Sequence, residues 1–75
     1  MSIDLGKFME KFCAIIKNLR VEKGLTQQKV ADYLNIDRSN YSKYERGKLE
    51  PNVEMIVSLA KFYDVSADYL LGLEN

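Results

Sequence analysis

Apolar residues recur along this chain at three- and four-residue spacing, the signature of helices with one buried face, and no stretch sustains the alternation of a strand. Leu5, Phe8, Met9, Phe12, Ile16 and Leu19 form the first stripe, which stops at Gly24, a natural residue for the position after a helix. Thr26 is suited to cap a second helix, TQQKVADYL, with Val30, Ala31 and Leu34 facing inward. Asn35 follows it and tolerates the left-handed conformation of a tight turn. Asp37 is placed to cap a third helix that ends at Gly47. After the loop KLEP, Asn52 caps a fourth helix carrying Val53, Ile56, Leu59, Ala60 and Tyr63. Ser66 caps a short fifth with Tyr69, Leu70 and Leu71. The pattern predicts an all-α chain of five helices. Joined by turns of a few residues, they must pack at steep angles, because none can bury its stripe alone. The second and third, three or four residues apart, form a helix-turn-helix.

The third helix, within DRSNYSKYERG, carries few residues that a core would accept. On a wheel of about 100° per residue, Tyr41 and Tyr44 mark its buried side. Ser39, Lys43 and Arg46 point the opposite way, with Arg38 and Ser42 on their flank. Two readings fit that face. It is a solvated surface, or it enters a DNA major groove, where Arg and Lys donate to guanine edges and Ser to several bases. Gln27 and Gln28 open the second helix, where side-chain amides and the free helical N–H groups together suit a phosphate. Arg46 and Lys48 could clamp a neighbouring phosphate. As ordinary exposed residues these four need no partner.

The charge distribution bears on that choice. The net charge is zero over 75 residues. Between Lys17 and Lys48, however, eight basic residues stand against four acidic ones, and the rest of the chain has three against seven. One basic half and one acidic half suit a molecule with one side turned toward a polyanion. No apolar run approaches the roughly 18 residues of a membrane span, and MSIDLGKFMEKFC does not read as a signal peptide, so a cytoplasmic location is expected. Cys13 is the sole cysteine and histidine is absent, which argues against an internal disulfide and a zinc site. Cys13 reads as a small, half-buried helix residue. Without histidine, clustered carboxylates or a Gly-rich loop, nothing suggests acid–base or nucleophilic catalysis. No cofactor, metal or small-molecule site is expected.

Taken together, LR at 19–20, KGLTQ at 23–27, Ala31, YERG at 44–47, Pro51, LA at 59–60 and DYLLG at 68–72 resemble the Xre/Cro family of bacterial and phage regulators. The resemblance spans residues 12–72, with 1–11 extending the first helix and 73–75 forming a short tail. It implies a compact five-helix bundle of the lambda-repressor-like kind, with the third helix in the major groove. Carried over by position, it implies DNA contacts from Gln27, Arg38, Ser39 and Lys43, with Asn40 beside them and Arg46 on the backbone. Gln28, Ser42 and Lys48 join that set from the wheel and from their place at helix ends. Arg20 and Glu45 match a pair that bridges the first and third helices, and Ala31 matches a close helix crossing.

Three features depart from the family pattern. Tyr41 stands where Ile or Val is common, so its hydroxyl must reach solvent, a phosphate or a buried acceptor. Lys29 replaces an acid and removes a capping box. Leu5, Phe8 and Met9 extend the apolar stripe of the first helix, to pack on the last helix of the same molecule or on a second subunit. The implied function is a sequence-specific DNA-binding transcriptional regulator, a repressor acting as a homodimer on a palindromic operator through the helix at 38–46. It would be bacterial or phage-encoded and nucleoid-associated. An antitoxin-type autoregulator and a protein-interaction module using the N-terminal extension are the alternatives.

Overall fold

The structure, a computed structural model, describes the backbone of residues 5–73 and the side chains of residues 6–73. Five α-helices account for its regular structure: α1 (Leu5–Glu22), α2 (Gln27–Leu34), α3 (Arg38–Glu45), α4 (Val53–Tyr63) and α5 (Ala67–Leu70). No strand occurs among the described residues.

All five helices stop in the same way. The residue in the left-handed conformation is Gly24, Asn35, Gly47, Asp64 or Gly72, each with φ between 55° and 73°. The next residue's N–H then reaches back five positions: Leu25 to Arg20, Ile36 to Ala31, Lys48 to Lys43, Val65 to Ala60 and Leu73 to Asp68, at 2.8–3.0 Å. This closure satisfies carbonyls that a helix end otherwise leaves open.

Three helix starts are capped by side chains. Thr26 Oγ1 accepts from Lys29 N at 3.1 Å, Asn52 Oδ1 from Met55 N at 2.8 Å and Ser66 Oγ from Tyr69 N at 3.0 Å. Asp37 corrects the expectation at the fourth. It occupies the cap position of α3 with extended backbone, but its carboxylate makes no capping bond.

The core joins Phe12, Ile16 and Leu19 of α1 to Val30 and Ala31 of α2, Tyr41 of α3, Met55, Leu59, Ala60 and Tyr63 of α4, and Leu70 of α5. Full burial of such side chains is worth about 1.5–3 kcal/mol each, which makes this cluster the main source of stability. α3 packs on α2 and α1, α5 on α4 and α1, and α2 on α4. Tyr33 lies over Phe62 with ring centroids 4.4 Å apart, closing the α2–α4 seam.

α4 buries Leu59, Ala60 and Tyr63 as expected and packs Ile56 against the core, and only Val53 departs. Val53 is 77% exposed, and Met55 is buried in its place. Tyr69 of α5 is 42% exposed, leaving Leu70 as that helix's fully buried anchor.

At the start of α1, Phe8 is half-buried against the core, its ring 6.0 Å from that of Phe12. Met9 borders a shallow cleft with Cys13, Arg46 and Gly47. Phe8 thus packs within the molecule, whereas Met9 faces the cleft; the side chain of Leu5 lies outside the described set. No helix among the described residues is long and apolar enough to cross a membrane.

Candidate nucleic-acid interface

α3 divides sharply by side. Tyr41 is fully buried and Glu45 nearly so, while Tyr44 is half-buried. Arg38, Ser39, Asn40, Lys43 and Arg46 are exposed, and Ser42 is half-buried on the flank. Gln28, Lys29 and Lys48 are exposed too. The outward side of α3 and the first turn of α2 meet at one edge, where Arg38 Nη1 donates to Gln27 Oε1 at 3.4 Å. Gln28 is engaged on its own helix, its amide donating to Asp32 Oδ1 at 2.8 Å.

Behind this surface lies a polar network. Arg20 Nε and Nη2 donate to the two oxygens of Glu45 at 2.7 and 3.1 Å, and Nη1 donates to the Leu25 carbonyl at 3.0 Å. Only 3% of the Glu45 side chain is exposed, against 15% of Arg20. Such a bidentate charge-assisted pair is strong and directional. Gln27 Nε2 completes it, donating to Glu45 Oε1 at 3.1 Å. One glutamine thus spans the buried carboxylate and an exposed arginine.

The electrostatics follow. Burial alone would raise the Glu45 carboxyl, but the hydrogen bonds to it and the Arg20 charge outweigh that, and its pKa falls below the ordinary 4.5. The bond to Glu45 raises Arg20 in turn. Burial, reinforced by the Glu45 charge, pushes the Tyr63 phenol up to about 12 and raises Tyr41 further. Both hydroxyls are buried without a hydrogen bond of acceptable geometry. Tyr41 thus reaches neither solvent nor a well-placed acceptor.

The arrangement has the means to bind. It offers cationic and amide donors on a rigid helix whose other side is fixed by a ring and an ion pair. The family resemblance sets Arg20 against Glu45 and leaves Gln27 outside that pair. Gln27 and Glu45 lie 18 positions apart, and only the helix crossing brings them together.

Two helices joined by a tight left-handed turn, with the second helix polar on its outer side, define a helix-turn-helix domain. Residues 16–70 match the helix-turn-helix family HTH_3, and the chain belongs to this Xre-like family. Its members are regulators that bind DNA, not enzymes. The chain is 45% identical over 56 residues to the "SPbeta prophage-derived uncharacterized HTH-type transcriptional regulator YonR" of Bacillus subtilis, covering 75% of this chain and 52% of that protein. It is 41% identical to the "Cryptic phage CTXphi transcriptional repressor RstR" of Vibrio cholerae, covering 72% and 49%. It is also 41% identical to the "HTH-type transcriptional activator BcrR" of Enterococcus faecalis, covering 80% and 29%. The chain spans about half the length of the first two and under a third of the last.

Proposed function

We infer that this chain is the DNA-reading part of a transcriptional repressor, acting in the cytoplasm as a homodimer that lays α3 in successive major grooves of a palindromic operator. The observation that carries this is the two-sided α3. Arg38, Ser39, Asn40 and Lys43 are presented outward, while Tyr41 and Glu45 hold the opposite side in the core. Arg38 and Lys43 supply donors to base edges, and Ser39 and Asn40 adapt to several bases. Gln28 and the free N–H groups of the α2 N-terminus take one phosphate, with Gln27 orienting Arg38 beside them and Ser42, Arg46 and Lys48 along the backbone. One short helix reads too few bases to be selective in a genome, so two copies on half-sites about 34 Å apart are needed. Repression follows by occluding a promoter.

The test is selection of bound duplexes from a random pool, followed by titration of the winner at several salt concentrations. A palindromic consensus with steeply salt-dependent affinity is expected, since each neutralised phosphate releases counterion. Arg38→Ala and Lys43→Ala should each cost about 1–3 kcal/mol and relax one base position. If both leave affinity and consensus unchanged, α3 is not the reading element.

A further inference from the structure

We propose that Asp37 is a base-reading residue of this surface, accepting a hydrogen bond from the exocyclic amine of a cytosine beside the base met by Arg38. The proposal rests on the major-groove reading of α3 given above. Of the four described N-caps, three use their side chains to close the helix, and only Asp37 does not. Its backbone is already in the extended cap conformation, φ −68° and ψ 146°, so the chain is set for a capping bond that the carboxylate leaves unmade. Asp37 is exposed, and its carboxylate makes no hydrogen bond or ion pair among the described residues. It immediately precedes Arg38, at the end of α3 that meets the first turn of α2.

The N-terminal residues of a recognition helix are the ones that approach base edges. An ionised carboxylate there is only an acceptor. It is repelled by phosphates and by the acceptor edges of guanine and thymine, and it matches the amine that cytosine turns into the major groove. Adenine offers an amine too, but beside the N7 acceptor, which a carboxylate would face unfavourably. An acceptor at 37 beside a donor at 38 would read a cytosine next to a guanine, a combination that neither residue specifies alone.

Selection from random duplexes, run in parallel on the unaltered chain, Asp37→Asn and Asp37→Ser, tests this. Serine keeps a cap of the kind Ser66 provides, and thermal unfolding checks that each variant is folded. The unaltered chain should enrich cytosine at one position per half-site by about tenfold, the size of one base-pair mismatch. Asp37→Ser should lose that preference while retaining the rest of the consensus, and Asp37→Asn should shift it toward bases with acceptors. A cytosine preference that survives both substitutions, or a consensus without cytosine there, overturns the proposal. If the unaltered chain selects no consensus at all, the major-groove reading falls, and this inference with it.

Discussion

Arg20→Ala probes the link between the core and the reading surface most directly. Arg20 donates two hydrogen bonds to the Glu45 carboxylate, at 2.7 and 3.1 Å, and the substitution leaves that group, 3% exposed, with the neutral amide of Gln27. Breaking a buried pair by removing one partner costs about 3–5 kcal/mol, because the remaining charge stays desolvated. Arg20 keeps 15% of its side chain in water, so the lower end, about 3 kcal/mol, applies. A domain of this size has about 4–11 kcal/mol in total, and the melting temperature should fall by roughly 12–24 °C. Urea unfolding followed by circular dichroism measures the loss.

Acidity supplies an internal check through the sign of the effect. In the unaltered chain the folded Glu45 pKa lies below 4.5, so its contribution is complete above that value and disappears as pH falls through the lowered one. In the variant, burial is the dominant influence left and raises the folded pKa. The resulting penalty is present at neutral pH and relieved as pH falls through the raised value. The stability gap between the two proteins must therefore narrow on acidification. A gap under about 1 kcal/mol at neutral pH, or one that stays constant down to about pH 4, would refute the buried-pair argument.

Three further outcomes follow from individual side chains. Tyr41→Phe and Tyr63→Phe remove hydroxyls that are buried without a partner, so stability should hold or rise by up to about 1 kcal/mol; a loss of that size in thermal unfolding would mean the hydroxyl is bonded. For Tyr63, raised to about 12 from 10.0, the contribution is complete below 10 and lost as pH climbs toward 12, which ultraviolet phenolate absorbance follows alongside unfolding. Asn52→Ala deletes the 2.8 Å cap of α4 and should cost about 1 kcal/mol in urea unfolding, whereas Asn52→Asp keeps a capping oxygen and should cost little. Gly47→Ala puts a Cβ at φ +70° with its nearest neighbour, Cys13 Sγ, at an ordinary 3.9 Å, so the expected cost is conformational, about 1–2 kcal/mol; a much larger loss would reveal a steric clash.

How much of this was written in the chain differs by feature. Left-handed endings at Gly24, Asn35 and Gly47 are legible because glycine and asparagine reach that conformation cheaply, whereas Asp64 does the same less conspicuously. The phase of α4 was legible from Leu59, Ala60 and Tyr63, but the contact made by its first turn was not. Val53, Met55, Ile56, Val57, Leu59 and Ala60 leave that helix apolar over more than half its circumference, and contact with α2 and α5 selects Met55 over Val53. The sides of α3 are legible because Tyr41 and Tyr44 are the only large apolar residues on it. At Asp37 the residue type suits the cap, but the choice between capping and facing outward lies in a side-chain rotation that no pattern encodes.

Gln27 shows why a polar residue's type does not reveal its allocation. Its amide stands between a carboxylate that requires a donor and a guanidinium that requires an acceptor, so chemistry fixes which end faces which. Nitrogen turns inward to Glu45 and oxygen outward to Arg38. Reversing the amide would set oxygen against oxygen and N–H against N–H, two repulsive contacts in place of two bonds. Arg38 is therefore aimed by a group whose orientation depends on the charge of Glu45, which Arg20 in turn keeps ionised inside the protein. Replacing Arg20 and Glu45 together by apolar residues of similar volume should restore stability, as buried pairs often allow. It should not restore the aim of Arg38, because Gln27 then loses the acceptor that holds it. A double variant that folds as well as the parent yet binds a selected operator more weakly, with the loss concentrated at the base met by Arg38, would separate the two roles of this ion pair. Undiminished binding would show that Arg38 is positioned without it.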